Sequence, residues 1–217
     1  MLFMKLITLS SGSCGNCHFL ELNNKTIILD CGITFRQITH HPNFPKFKDI
    51  SFVFITHEHK DHSKSMKEFK KTGCRVLTYE KLENKVQHWN IDNFEITTFP
   101  IKHNVMCFGI IIKSRQENIV FCYVTDFYEI PKIEGVSHFL FEVNYIESLI
   151  DETIDADKDL KHLGFNNHCS LEYAVDYFTR MNTRPKEIYC CHGSQSHSIK
   201  KKVYEGMKQF ADKVVVL

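Results

Sequence analysis

The chain has 217 residues, 43% of them hydrophobic, with 27 basic against 26 acidic side chains and a formal charge of +1. That length and apolar content suit one sizeable domain, 1–217, with a substantial core. The near-neutral balance argues neither for nor against a nucleic-acid partner, and no apolar run nears the ~20 residues of a membrane span.

The predicted elements run as follows. Phe3 to Leu9 reads as a strand, and Ser10 to Asn16 as a turn of small residues. His18–Leu22 and Thr26–Asp30 read as a hairpin around Asn23-Asn24. A short helix is expected within 33–41, then a loop through Pro42 and Pro45. Phe52–Ile55 is a strand, and Ser63–Lys71 a helix capped by Ser63. Arg75–Thr78 is a short strand and Glu80–His88 a helical stretch. Phe94–Phe99, Met106–Lys113, Asn118–Val124 and His138–Val143 read as strands. Residues 145–162 are acidic and expected helical. Leu171–Met181 is an amphipathic helix, Glu187–Cys191 a strand, Ile199–Phe210 a helix and Lys213–Leu217 a last strand. Two sheets flanked by helices fit this order.

The nine cysteines follow no regular spacing, and many lie in apolar runs, as buried free thiols do. Cys14 and Cys17 form a C-x-x-C with no second pair to complete a zinc site. The first residues lack a signal peptide's apolar region. A reducing, cytoplasmic setting is therefore expected.

The densest chemistry is Phe52-Val-Phe-Ile-Thr-His-Glu-His-Lys-Asp-His62. A β-forming run stops and a loop follows with His57, His59, Asp61 and His62. Imidazole with carboxylate suits zinc, manganese or iron better than calcium or magnesium. Three more ligand-type residues each lie beside an apolar strand: His103, Asp126 and His192. Sheet proteins commonly gather such sites on loops at strand ends.

The H-x-H-x-D-H spacing, followed by His, Asp and His, resembles the signature of the metallo-β-lactamase superfamily. The resemblance implies an α/β fold, the αββα four-layer sandwich, with two divalent metal ions sharing a hydroxide. It places His57, His59 and His103 on one metal and Asp61, His62 and His192 on the other, with Asp126 bridging. Asp30, in Ile28-Leu-Asp-Cys-Gly32, matches an aspartate that supports the metal loop from behind.

Asn166-Asn-His-Cys-Ser-Leu-Glu-Tyr-Ala resembles the H-x-S-x-x-x-A helix start of phosphodiesterase branches such as ribonuclease Z. His168 would there act on the phosphate, with Asp61 orienting the hydroxide. The plainer reading of His168 is a residue preceding an N-cap at Ser170.

The turn Ser11-Gly-Ser-Cys-Gly-Asn16, with Thr56–His62 and Phe141-Glu-Val-Asn144, resembles the YycJ/WalJ-type exonuclease branch. Its Ser11, Ser13 and Asn16 would then face the substrate, although an ordinary tight turn reads the same way. The expected activity is a metal-dependent phosphodiesterase, a DNA exonuclease-like nuclease, with nucleic acid or a nucleotide as substrate. Asn104 after His103, where that branch usually has an aspartate, and the compact length also fit a cyclic-nucleotide phosphodiesterase. A non-catalytic nucleotide-binding or nucleic-acid-binding module is the alternative from another class. A glyoxalase-type thioesterase would need a helical extension that 217 residues hardly hold.

Overall fold

The structure, a computed structural model, describes residues 4–150, 167–193 and 196–217. It divides into two compact units, 1–100 with 105–118, and 101–104 with 119–217.

The first unit opens with β1 (Lys5–Ser10), antiparallel to β2 (Cys17–Leu22). β2 turns back into β3 (Lys25–Leu29) through Asn23 and Asn24, at φ 54° and 58°. Asparagine tolerates the left-handed region that a two-residue hairpin needs. The helix α1 (Phe35–Thr39) starts with a capping box: the Gln37 amide donates to Thr34 Oγ1, and the Thr34 amide to Gln37 Oε1. Each bond occupies a backbone donor that the first helical turn leaves over.

β4 (Ile50–Ile55) runs parallel to β3 and is buried at every position. A strand covered on both faces reads as a continuous apolar run rather than an alternating one. Next come α2 (Lys60–Ser63), α3 (Met66–Lys71) and β5 (Val76–Thr78), giving a sheet ordered β1-β2-β3-β4-β5. Phe19, Ile28, Val53, Ile55 and Phe69 lie in its core. β6 (Gln87–Ile91) and β7 (Phe94–Ile101) make a hairpin, with β8 (Cys107–Ser114) on the other side of β7.

Two expectations are corrected here. Ser63 does not cap a helix over 63–71. It closes α2, donating to the Glu58 and His59 carbonyls, and a break at Ser65 precedes α3. The Ser65 hydroxyl is drawn away to the Ile33 carbonyl at 2.5 Å. The helix expected over Glu80–His88 is a single 3₁₀ turn, Tyr79–Lys81, and Gln87 onward is strand. Asp92, at φ 51°, supplies the tight turn that pairs Ile91 with Phe94.

The second unit carries β9 (Val120–Val124), β10 (His138–Glu142), α4 (Glu147–Ile150), α5 (Leu171–Thr179), β11 (Glu187–Cys191), α6 (His197–Met207) and β12 (Lys213–Val216). Its strands are all parallel, ordered β12-β11-β10-β9. Phe178 of α5 meets Phe139 edge-on at 5.2 Å and Phe141 at 4.9 Å, an aromatic packing that anchors the helix to the sheet. Ser170 caps α5 as expected, accepting from the Tyr173 amide at 3.0 Å. Because the strands are parallel, their C-terminal ends lie at one edge, and the residues just after them gather there. The helical reading of 151–162, Phe3 of the first predicted strand and Asn166 of the helix-start motif lie outside the described residues. Among the described residues no helix is long and apolar enough to cross a membrane.

Candidate metal centre

In the first unit the His57–His62 loop hangs from the end of β4. Thr56 follows Ile55 and is fully buried. Asp30, at the end of β3, accepts from the Thr56 amide at 2.8 Å and from the Thr56 hydroxyl at 3.0 and 3.1 Å. The same carboxylate lies 2.7 Å from His62 Nδ1, with both side chains wholly buried. If the carboxylate accepts from Nδ1–H, Nε2 is the ring's acceptor atom, and the Asn16 amide nitrogen lies 2.9 Å from it.

His57 and His59 meet with Nε2 and Nδ1 3.0 Å apart. The other nitrogen of His57 is 2.9 Å from Thr56 Oγ1 and 3.6 Å from Cys107 Sγ. His57 and His62 are neighbours, their ring centroids 4.3 Å apart. His59 stands at the N-cap position of α2, and that helix carries Asp61 and His62. Asp61 Oδ2 lies 3.4 Å from His62 Nε2, and its side chain is 28% exposed. Three imidazoles and a carboxylate on one loop are a donor set that suits zinc, manganese or iron.

The glycine-rich turn is tied to this loop rather than held clear of it. Asn16 is buried; its amide Nδ2 lies 3.1 Å from the Gly12 carbonyl and 2.9 Å from His62 Nε2, and its Oδ1 accepts from the Gly12 amide at 2.8 Å. The backbone joins in: the Asn16 amide donates to the Asp61 carbonyl at 2.6 Å, and Cys31 to that of His62 at 2.8 Å. Asn16, expected to face substrate, here braces the loop through its polar atoms. Ser11 is half-buried and Ser13 exposed.

The second unit builds its own group. Asp126 follows β9, Glu142 ends β10, His192 follows β11, and His168 precedes the cap of α5. Ligand atoms of these four residues all lie within 4.8 Å of one another. Glu142, fully buried, takes His168 Nδ1 at 2.7 Å and His192 Nδ1 at 3.0 Å on one oxygen. Its other oxygen accepts from the Phe127 and Cys169 amides at 3.1 and 3.3 Å. Asp126 Oδ1 is 3.0 Å from His168 Nδ1 and 3.4 Å from His192 Nδ1. Asn144 donates to the His192 carbonyl at 2.7 Å. His103 lies apart from the four: its Nδ1 is 3.2 Å from the Asn167 carbonyl, and its ring 6.3 Å from that of His168.

Burial works against a charge on Glu142, yet hydrogen bonds from His168 and His192 outweigh it and hold the carboxyl below its ordinary range. Burial likewise opposes a proton on His168. Asp126 and Glu142 together overcome that and push the imidazole up to about 10. Glu142 is the residue that sequence reasoning left out of the site. Its signal was the Glu-x-Asn stretch, quoted only as a resemblance.

Strain marks the same places. Asp30, Asp126 and His192 have φ of 57°, 51° and 56°. Left-handed backbone costs a residue with a side chain about 1–2 kcal/mol, and such outliers cluster where function over-determines them.

The family described as Anti-Pycsar protein Apyc1 matches residues 9–81. "Exodeoxyribonuclease WalJ" of Streptococcus pneumoniae is 24% identical over 226 aligned positions, covering 90% of this chain and 84% of that protein. The crystal structure of YhfI, a metallo-β-lactamase fold protein from Bacillus subtilis, superposes with a TM-score of 0.71 at 15% identity, covering 99% of this chain and 95% of that one. The human tRNase Z short form gives 0.63 at 13% identity, covering 98% and 95%. The chain has the metallo-β-lactamase fold and, over nine-tenths of its length, resembles the WalJ exodeoxyribonuclease.

Proposed function

We propose that this chain is a metal-dependent phosphodiesterase acting on nucleic acid, in its finer form a DNA exonuclease, with residues 1–217 working as one hydrolase domain. The observation that carries the reading is the braced H-x-H-x-D-H loop, its His62 fixed by a buried Asp30, in a chain that resembles WalJ over most of its length. His57, His59 and His103 would hold one divalent cation and Asp61, His62 and His192 a second, with Asp126 shared. Zinc, manganese and iron all suit these donors. The nine cysteines are all free thiols, which supports a reducing, cytoplasmic setting.

When bound, such cations lower the pKa of a shared water toward neutrality and offset charge on the phosphoryl oxygens. The protein's own groups do the rest. Asp61 accepts a proton from the attacking water and so orients it. His168, held by Glu142 and Asp126, donates to a phosphoryl oxygen or to the leaving oxygen, a role worth about 10²–10⁴-fold.

The test is a substrate panel on protein loaded with zinc or manganese: bis-p-nitrophenyl phosphate, single- and double-stranded DNA and RNA, and cyclic nucleotides. Two metals per chain and release of nucleotides from DNA ends are expected, abolished by a chelator and by Asp61→Ala. His168→Ala should lose two to four orders of magnitude in turnover with its metal content intact. Cleavage of cyclic nucleotides alone would replace the nuclease reading. Tight nucleotide binding with every ester left whole would replace the enzymatic one.

A further inference from the structure

The first unit holds a cavity of about 370 Å³ lined by Glu58, Tyr79, Glu80, Leu82, Val105 and Met106. That volume is in the range of small-molecule sites, about 300–1,000 Å³. Glu58 is the residue between His57 and His59, so the cavity opens next to the metal-ligand loop. Tyr79 packs against the hydrophobic core as well as lining the cavity, which holds its ring in place. Leu82 is buried, while Met106 is 52% exposed, an adaptable apolar side chain left at the surface.

The polar lining is two carboxylates and the Tyr79 phenol. Glu80 is paired with Lys70 at 2.6 Å. Among the described residues Glu58 has neither a hydrogen bond nor an ion pair from its carboxylate. Both carboxylates line the same cavity as the Tyr79 ring, and burial, then the charges of Glu80 and Glu58, raise its phenol.

We propose that this cavity is a nucleobase subsite, in which Tyr79 and Met106 sandwich the base and the Glu58 carboxylate selects guanine. The inference rests on the nucleic-acid reading above and names the part of the substrate this surface takes. Two carboxylates repel a phosphate, so the backbone is excluded and the base enters. The Glu58 carboxylate only accepts, so the edge that meets it must donate. Guanine offers N1–H and N2–H side by side, one for each carboxylate oxygen. Thymine offers one N–H between two carbonyls, which the carboxylate repels. Flipped or single-stranded bases are read in this way, by stacking and by their Watson–Crick edge.

The experiment is calorimetric titration of metal-loaded protein with dGMP and dTMP, whose phosphates are identical. The parent should bind dGMP about tenfold tighter or better, the discrimination a two-donor contact gives. Tyr79→Ala should weaken binding of both by about 5- to 150-fold, the loss expected from one stacking partner, while Tyr79→Phe binds as the parent does. Glu58→Gln should erase the dGMP preference, with melting temperature unchanged. Equal affinity of the parent for the two nucleotides would overturn the proposal, and so would a Tyr79→Ala variant that binds like the parent. Bis-p-nitrophenyl phosphate hydrolysis, followed in parallel, separates the two readings. Its absence alongside base-selective binding removes the phosphodiesterase reading and leaves the subsite.

Discussion

The two units prepare ligand-type residues in opposite ways. In the first, His57, His59, Asp61 and His62 come from one stretch of six residues, and buried partners gathered around it hold the loop. In the second, Asp126, Glu142, His168 and His192 are spread over 67 positions; the parallel β9, β10 and β11 bring three of them together, and His168 joins from the start of α5. The first group is a local motif with a long-range brace; the second is a product of topology with a carboxylate at its centre. The first should therefore fail when the backbone beneath the loop is pushed away. The second should fail when the central acceptor is removed.

The largest effect is expected at Gly32. A Cβ there would stand 1.6 Å from the Asp61 carbonyl oxygen and 2.1 Å from its carbon. Both atoms are backbone, so no rotamer relieves the clash. Gly32→Ala should cost more than about 4 kcal/mol, in the exceptional class of single substitutions, and abolish metal uptake. In the second unit a Cβ on Gly193 meets only the Val143 carbonyl closely, at 2.6 Å. Urea denaturation that ranks Gly193→Ala as the worse of the two would break the comparison.

Asp30→Ala comes next. It strips a buried acceptor from the Thr56 amide, the Thr56 hydroxyl and His62. Losing one side of a buried pair costs about 3–5 kcal/mol. Because the partner left behind is a ligand-type histidine, metal content should fall with stability. A variant that melts lower but binds a full complement of metal would show that Asp30 supports the fold and not the loop.

Glu142→Gln tests the second group more gently, at about 1–3 kcal/mol, since the amide oxygen still accepts. It also carries a pH signature. His168 in the metal-free protein is held up to about 10 from an ordinary 6.5. A raised folded-state pKa stabilises the protein fully below about 6.5, and the contribution is lost as pH rises through about 10. In Glu142→Gln the His168 titration, followed by NMR of the metal-free protein, should move down toward 6.5. An unmoved titration would assign the shift to Asp126 alone.

What the sequence revealed follows the same division. The H-x-H-x-D-H loop, the Asn23-Asn24 turn and the Ser170 cap are local, and short-range chemistry decides them. The strand at Gln87–Ile91 was not legible, because Glu80–Lys85 is rich in helix formers and only pairing with β7 settles the conformation. The glycine-rich turn was legible as an anion-favouring turn, but the contact of Asn16 with the Asp61 carbonyl, 45 residues away, was not. Glu142 was hidden for a like reason, as its partners lie 26 and 50 residues downstream.

Ser170→Ala should give the smallest effect, and it tells the cap and the site apart. The Ser170 hydroxyl accepts from the Tyr173 amide and donates to Glu147 Oε1 at 2.6 Å. Losing an N-cap costs about 1 kcal/mol. His168 lies two residues before that cap, yet its ring is fixed by Glu142 and Asp126 and not by Ser170. The variant should therefore melt slightly lower while its His168 titration and its hydrolysis of bis-p-nitrophenyl phosphate stay within about twofold of the parent. A loss of turnover as large as that of His168→Ala would mean that the helix start, rather than the buried carboxylates, sets the position of the histidine. The second group would then depend on local structure as much as the first does.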